Sequence, residues 1–281
     1  MNPHPPQPTG ELWSTFASAW SRLGPPLRPC PEDLQRLHQA WTQSLPAGIP
    51  SRRLEILSLG VTPEIALFPW ASDFHLTAID ASEGMIGSVW PGDAPNRRAV
   101  LGDWLEMPFP DASFDLVLTD TGLALVAGTG KLSAAGRELR RVLRQDGRAA
   151  MRHFARPSPP ESLDSIAQAA GAGRLSNFHE LKLRLLMAVE AENPGTAVRL
   201  ADVYDRFQSL FSDRDLLARQ LGCDHQIVST IDAYRGRETL YAFPSLAELA
   251  VAFDAFHLAP GPAGHYPAAG CCPVFSLTPK Q

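Results

Sequence analysis

Short apolar runs alternate with helical spacings through the middle of the chain, and that alternation predicts its architecture. Leu54-Glu-Ile-Leu-Ser-Leu-Gly60 is a branched, apolar run closed by a glycine, the pattern of a buried strand. Thr62 before Pro63 reads as a helix N-cap with proline in the first helical position. A second run, Leu76 to Ile79, ends in Asp80, and Ser82 then caps a helix through Met85, Ile86 and Val89 that stops at Pro91-Gly92. Arg98 to Leu101 is a third strand, Phe114 to Asp120 a fourth. Gly128-Thr-Gly130 opens a helix through Leu132, Leu139, Val142 and Leu143. Gln145-Asp-Gly147 reads as its stop, and Ala149 to Phe154 as a fifth strand. Strands separated by helices imply a parallel sheet with right-handed crossovers.

The flanking segments are helical in pattern. Leu12 to Leu23 carries apolar residues at helical spacing, including Trp13 and Trp20; Pro31-Glu-Asp starts a helix through Leu34, Leu37 and Trp41. Between the fifth strand and the C-terminal part lie four expected helices. One begins at a capping box in Ser158-Pro-Pro-Glu161 and ends near Gly171. The others run through Leu181 to Val189, from about Ala201 to Phe211, and from Asp213 to Leu221. Ser245-Leu-Ala-Glu248 is a second capping box. Phe256 to Leu258 and Pro273 to Thr278 would be strands six and seven. The expected organisation is therefore residues 1–50 as N-terminal helices behind an unstructured start, 51–155 as a nucleotide-cofactor core, 156–243 as an inserted helical cap, and 244–281 completing the core sheet.

The chemistry this frame offers begins at Gly60. A strand, a glycine turn and a helix N-terminus present free backbone N–H groups to an anion. Asp80, 20 residues after Gly60, closes the second strand, where an acid can accept hydrogen bonds from both ribose hydroxyls of a nucleoside. Asp103, Asp120 and His153 also fall at or near strand carboxyl ends, where ligands bind in such sheets.

Composition narrows the classes. A formal net charge of −5 argues against a general nucleic-acid binder. No run of 18 apolar residues is present, so no membrane span is expected. MNPHPPQPTG has neither a basic start nor an apolar h-region, so no secretory signal is read there. Cys30, Cys223, Cys271 and Cys272 do not make a disulfide framework, and a reducing, cytoplasmic location is expected.

The order of motifs resembles the class I S-adenosylmethionine-dependent methyltransferases. It is carried by Leu57-Ser-Leu-Gly60, Ala78-Ile-Asp80-Ala-Ser-Glu-Gly-Met85, Gly102-Asp103-Trp104, Pro108-Phe-Pro-Asp-Ala-Ser-Phe-Asp-Leu-Val117 and Glu138-Leu-Arg-Arg-Val-Leu-Arg-Gln-Asp-Gly147. The resemblance covers residues 53 to 154 and is strongest to the small-molecule branch. It implies a Rossmann-like α/β sheet of seven strands, the last antiparallel, and S-adenosyl-L-methionine as cofactor. It assigns Asp80 to the ribose hydroxyls and Asp103 to the adenine amino group, with Gly60, Ala81, Met85, Gly102 and Trp104 around them. Thr119, Asp120 and Thr121 would form the floor under the sulfonium. The chain departs from the family's first motif. Ser58 stands in place of an acid, and Thr62 and Glu64 replace glycines, which puts a negative charge near the methionyl end.

His153 is the expected general base, since imidazole titrates near neutrality. His179, Tyr204 and Tyr234 are secondary candidates, and Arg235 with Arg237 could clamp a substrate carboxylate. Cys271-Cys272 beside His265 lacks four-ligand spacing, so no metal is expected. The expected activity is methyl transfer to a small molecule held under the cap, with a homodimer through the apolar N-terminal helices as a further expectation. Two alternatives stand beside it: a cyclase or lyase using the same cofactor, and a non-catalytic binding or scaffold descendant.

Overall fold

The computed structural model describes residues 20–126, 129–193 and 195–280. The expected helix over Leu12–Leu23 therefore lies largely outside the described residues. Its described end is a short 3-10 turn, Trp20–Arg22. The opening Gly128 of the later helix is also outside.

Helix α1 (Pro31–Gln43) starts with its proline in the first turn, and Asp33 accepts the Cys30 N–H at 3.1 Å. The core then alternates as expected: β1 (Leu54–Leu59), α2 (Pro63–Leu67), β2 (Phe74–Asp80), α3 (Glu83–Val89), β3 (Arg97–Leu101), β4 (Phe114–Asp120), α4 (Thr129–Val142) and β5 (Leu143–Arg152). After a helical stretch comes α10 (Leu246–Ala252), opened by the Ser245/Glu248 capping box, then β8 (Phe256–Pro260) and β9 (Val274–Pro279). The sheet order is β3-β2-β1-β4-β5-β9-β8, parallel from β3 to β5, with β9 antiparallel to both its neighbours.

Period-two alternation explains how this sheet is covered on both faces. Ile56, Leu116, Leu118 and Ala150 turn to one face and pack with Leu34, Leu37 and Trp41 of α1. Leu57, Val117, Ala149 and Met151 turn to the other, against Leu139 and Val142 of α4 and Leu249 of α10. Each Leu, Ile, Val or Met among them contributes roughly 1.5–3 kcal/mol by leaving water.

Two signatures act as mechanical ties at the amino ends of the strands. Asp115 accepts from the Arg52 and Arg144 guanidinium groups and from the Glu55 N–H at 2.9 Å. Glu138 accepts the Met107 N–H at 2.8 Å, and Arg141, paired with Glu138, donates to the carbonyls of Met107 and Phe109. These bonds hold the Pro108-Phe-Pro turn against α4.

Three expectations are corrected. Gln145-Asp-Gly147 does not separate helix from strand. Instead β5 begins at Leu143 and bulges, since Phe114 faces Leu143 while Leu116 already faces Arg148. Gly147 fits this bulge because a Cβ there would lie 3.0 Å from the Phe114 carbonyl. The helix expected at Ser158 begins instead at Leu163, capped by Ser162, whose hydroxyl accepts from Ser165. Prolines at 159 and 160 lack N–H groups and push the residues before them into extended backbone. Glu161 consequently pairs with Arg184. Thr62 occupies the N-cap of α2, but its side chain accepts no capping bond.

The remaining helices are α5 (Leu163–Gly171), α6 (Phe178–Ala191), α7 (Leu200–Leu210), α8 (Arg214–Gln220) and α9 (His225–Val228). A 3-10 turn, Ser229–Tyr234, follows, and a two-strand ladder of β6 (Val198–Arg199) and β7 (Leu240–Tyr241) closes the group. They share a core in which Phe178, Leu181, Leu185, Phe207 and Ile231 meet Ala124 and Phe154 from the strand ends. The helices are thereby seated on the carboxyl ends of β4 and β5. Among the described residues no helix is long and apolar enough to cross a membrane.

Candidate active site

A cavity of about 230 Å³ lies at the carboxyl ends of β1, β2 and β4. Gly60, Asp80, Ala81, Met85, Asp103, Trp104, Asp120 and Thr121 line it together. Gly60 has φ +97°, a conformation glycine adopts freely, and its N–H donates to the Ile79 carbonyl at 2.8 Å. The same carbonyl accepts the Trp104 indole N–H at 2.9 Å. The indole thus lies across the floor. A Cβ on Gly60 would be 3.8 Å from its Cζ2, and one on Gly122 only 2.7 Å from its Cη2.

Asp80 accepts the Ser82 N–H at 2.9 Å, and burial pushes its carboxyl up to about 6. Asp103 is exposed at the rim and accepts the Leu105 N–H. Asp120 is committed to a buried ion pair, Arg152 Nε to Oδ1 at 2.5 Å. Arg152 also donates to the Pro26 carbonyl and lies 3.4 Å from Asp33, which pairs in turn with Arg36 and accepts the Tyr266 hydroxyl. Thr121 has φ +57°, which is strained for a β-branched residue. That strain sits where the chain leaves β4 for the pocket floor.

Three expected site residues are not brought to the cavity. Gly102 is a packing glycine, since a Cβ there would be 2.9 Å from the Ile79 side chain. Thr119 is fully buried beneath Gly122, where a Cβ would lie 3.2 Å from its hydroxyl, and does not itself line the cavity. His153 is the substantive correction. It follows β5, is 0% exposed, bonds the Pro244 carbonyl through Nε2 at 2.8 Å and packs edge-on to Phe275. Burial pushes its imidazole down to about 4. A carboxyl-end position on the sheet does not decide which way the side chain turns, and this one turns into the core, away from any substrate in the cavity. Arg235 is likewise engaged elsewhere, with the Tyr204 hydroxyl at 2.9 Å and with Asp232.

The cavity is completed by groups that motif reading passed over. Trp20, Leu23 and Leu27 form a wall from the segment before α1, and Arg28 pairs with Glu64 while stacking on Trp20. The charge introduced by Glu64 in place of a glycine is therefore neutralised within the protein. From the inserted segment come Lys182 and Leu186 of α6, Tyr234 of the 3-10 turn and Tyr241 of β7. Lys182 is 0% exposed. Its signal was readable: it stands four residues from both Phe178 and Leu186, on the apolar side of a helix in which the charges Glu180 and Arg184 pair with each other.

Residues 57–151 match the sequence profile of the family described as Methyltransferase domain. That segment belongs to the methyltransferase domain family. Among curated proteins, the demethylmenaquinone methyltransferases of Listeria monocytogenes and Listeria welshimeri are each 34% identical over 90 residues. The match takes in 31% of this chain, and the chain spans 37% of the length of each relative. Among solved structures, a Rhodobacter sphaeroides protein named as a candidate Zn-dependent alcohol dehydrogenase aligns with TM-score 0.57 at 13% identity over 97% of this chain and 98% of its own. The DhpI–SAH complex aligns with TM-score 0.53 at 16% identity, covering 96% of this chain and 94% of that one. At these identities the two structures show the fold: the methyltransferase domain sits in a Rossmann-like α/β frame.

Proposed function

We propose that the chain is an S-adenosylmethionine-dependent methyltransferase whose small-molecule acceptor sits between the core, 51–155, and the helical insertion, 156–243. One observation carries the reading: motif positions scattered from Gly60 to Thr121 converge on a single cavity, and Lys182, Leu186, Tyr234 and Tyr241 of the insertion line it with them. The residues fit the cofactor. Gly60 lets backbone approach closely, Asp80 has its carboxyl buried at the cleft, and Glu64 is neutralised by Arg28.

When bound, the cofactor supplies an already activated methyl group, so the protein's task is chiefly positioning and exclusion of water. Asp80 would hold the ribose hydroxyls, Asp103 the adenine amino group, and Asp120 and Thr121 the floor beneath the sulfonium. The Arg152 pair fixes Asp120 in place. Leu23, Leu27, Leu125 and Leu186 keep the acceptor side apolar. The substrate of the Listeria relatives is not carried over, because the matched segment is the core and the insertion lies outside it.

The test is calorimetric titration with S-adenosylmethionine and with S-adenosylhomocysteine, followed by product analysis of turnover. Micromolar binding of both, with S-adenosylhomocysteine as product, supports methyl transfer. Methylthioadenosine as product would move the assignment to cyclase or lyase chemistry. No binding at millimolar ligand would leave a scaffold.

A further inference from the structure

Lys182 is the one fully buried lysine lining the cavity, and the structure surrounds it unusually. Among the described residues no carboxylate pairs with its ammonium. Nζ donates to the Thr230 hydroxyl at 3.4 Å, and that hydroxyl spends its own proton on the Ile227 carbonyl at 2.7 Å. The Tyr234 ring centroid lies 4.8 Å from Nζ and the Phe178 centroid 6.0 Å away. Facing aromatic rings compensate a buried cation only in part. His179, three residues earlier on α6, is kept neutral, pushed down to about 4 by burial and by Lys182 itself. A buried nitrogen cation with no anion of its own, opening on a ligand cavity, is built for an anion that the ligand brings.

The surroundings also say which anion. Carboxylates and phosphates are best met by a fork of donors, as arginine provides, whereas lysine is a single point charge. One ammonium between two aromatic rings matches one oxygen on a flat, apolar body. We propose that Lys182 receives the acceptor's oxygen, binding the ionised hydroxyl of an aromatic or enolic ring and taking its proton when the hydroxyl arrives neutral. In that transfer the O–H bond breaks with its electron pair left on oxygen, and an N–H bond forms at Nζ. Burial pushes the ammonium down to about 7, so the amine form that accepts a proton is available near neutrality. The inference rests on the proposed methyl transfer and names the acceptor class for it.

The probe is 4-nitrophenol, whose phenolate absorbs visible light, titrated against wild-type protein and Lys182→Met, with and without S-adenosylhomocysteine. Calorimetry with S-adenosylhomocysteine runs in parallel on both proteins, and thermal melting confirms that the variant is folded. The expected result is that wild-type protein enriches bound phenolate over phenol by about tenfold relative to water. Lys182→Met should lose that enrichment and keep its S-adenosylhomocysteine affinity. If wild-type protein binds S-adenosylhomocysteine yet leaves nitrophenol ionisation unchanged, the Lys182 site is overturned and the cofactor reading stands. An unchanged enrichment in Lys182→Met overturns it as well. Tighter binding of benzoate than of nitrophenolate overturns the acceptor class. Phenolate enrichment without any S-adenosylhomocysteine binding overturns the role in methyl transfer, since the cofactor reading itself would then have failed.

Discussion

Replacing Asp80 with asparagine should move stability and cofactor affinity in opposite directions. Burial lifts this carboxyl from 3.8 to about 6, so at neutral pH the free protein holds an ionised group that its surroundings disfavour. A displacement of that size corresponds to roughly 3 kcal/mol as an upper bound. Asparagine keeps an oxygen to accept the Ser82 N–H and carries no charge, so Asp80→Asn should melt several degrees above wild type at pH 7. The sign can be checked by pH. The folded state binds the extra proton between about 4 and 6, so the wild-type advantage from this group is present below 4 and lost as pH rises through 6. The variant should lack that slope. Binding runs the other way. With Asp80 at the ribose as proposed, replacing a charged acceptor by a neutral one should cost about 2–3 kcal/mol, or about 30- to 150-fold in affinity for S-adenosylhomocysteine. Melting curves from pH 4 to 8 and calorimetry at pH 7 measure both. A variant that is less stable than wild type, or that binds S-adenosylhomocysteine equally well, refutes the reasoning.

His153→Phe should cost about 1–3 kcal/mol by leaving the Pro244 carbonyl unpaired, with S-adenosylhomocysteine affinity and turnover within twofold of wild type. A tenfold fall in turnover in folded protein would return His153 to the chemistry. Arg152→Met leaves Asp120 and Asp33 without their shared cation and should lower denaturant stability by about 3–5 kcal/mol. A loss below 1 kcal/mol would mean that the pair is not tight in solution. Gly122→Ala puts a methyl group into the Trp104 indole and should cost about 1–3 kcal/mol while shifting tryptophan emission. The emission shift should vanish in a Trp104→Phe background, and one that persists there places the indole elsewhere.

Much of the frame was legible because its signals are local and periodic. The runs at Leu54, Leu76 and Phe114 each terminate at a residue that turns the chain, and the capping boxes and acids follow within one helical turn. Asp80 and Asp120 were readable for the same reason, since a strand end fixes a position to within a residue. What sequence could not supply was direction across elements. His153 and Thr119 sit at strand ends yet are fully buried, and for His153 the Phe275 ring of β9 and the Pro244 carbonyl hold the side chain in the core. Arg28 neutralises Glu64 across 36 residues, a pairing no spacing rule reaches. The Ser158 box failed because two prolines outweighed a favourable pattern of end residues. Lys182 was written in its helix, as a charge four residues from apolar Phe178 and Leu186, but only its place beside the cavity gives that charge a use.

The buried cluster of Asp33, Arg36, Asp120 and Arg152 holds two acids and two bases drawn from α1, β4 and β5. Its charge balances only as a set. A lineage that lost Arg152 by one nucleotide change would strand the Asp120 carboxylate in the interior and leave Asp33 to Arg36 alone, and one that lost Asp120 would leave two guanidinium groups to share Asp33. Substitution at these positions should therefore be concerted: relatives either keep all four or exchange them together for apolar residues. Since Asp120 also borders the cavity, such an exchange would carry the ligand site with it. Covariation among positions 33, 36, 120 and 152 is thus an expected trace of the fold in the history of the sequence.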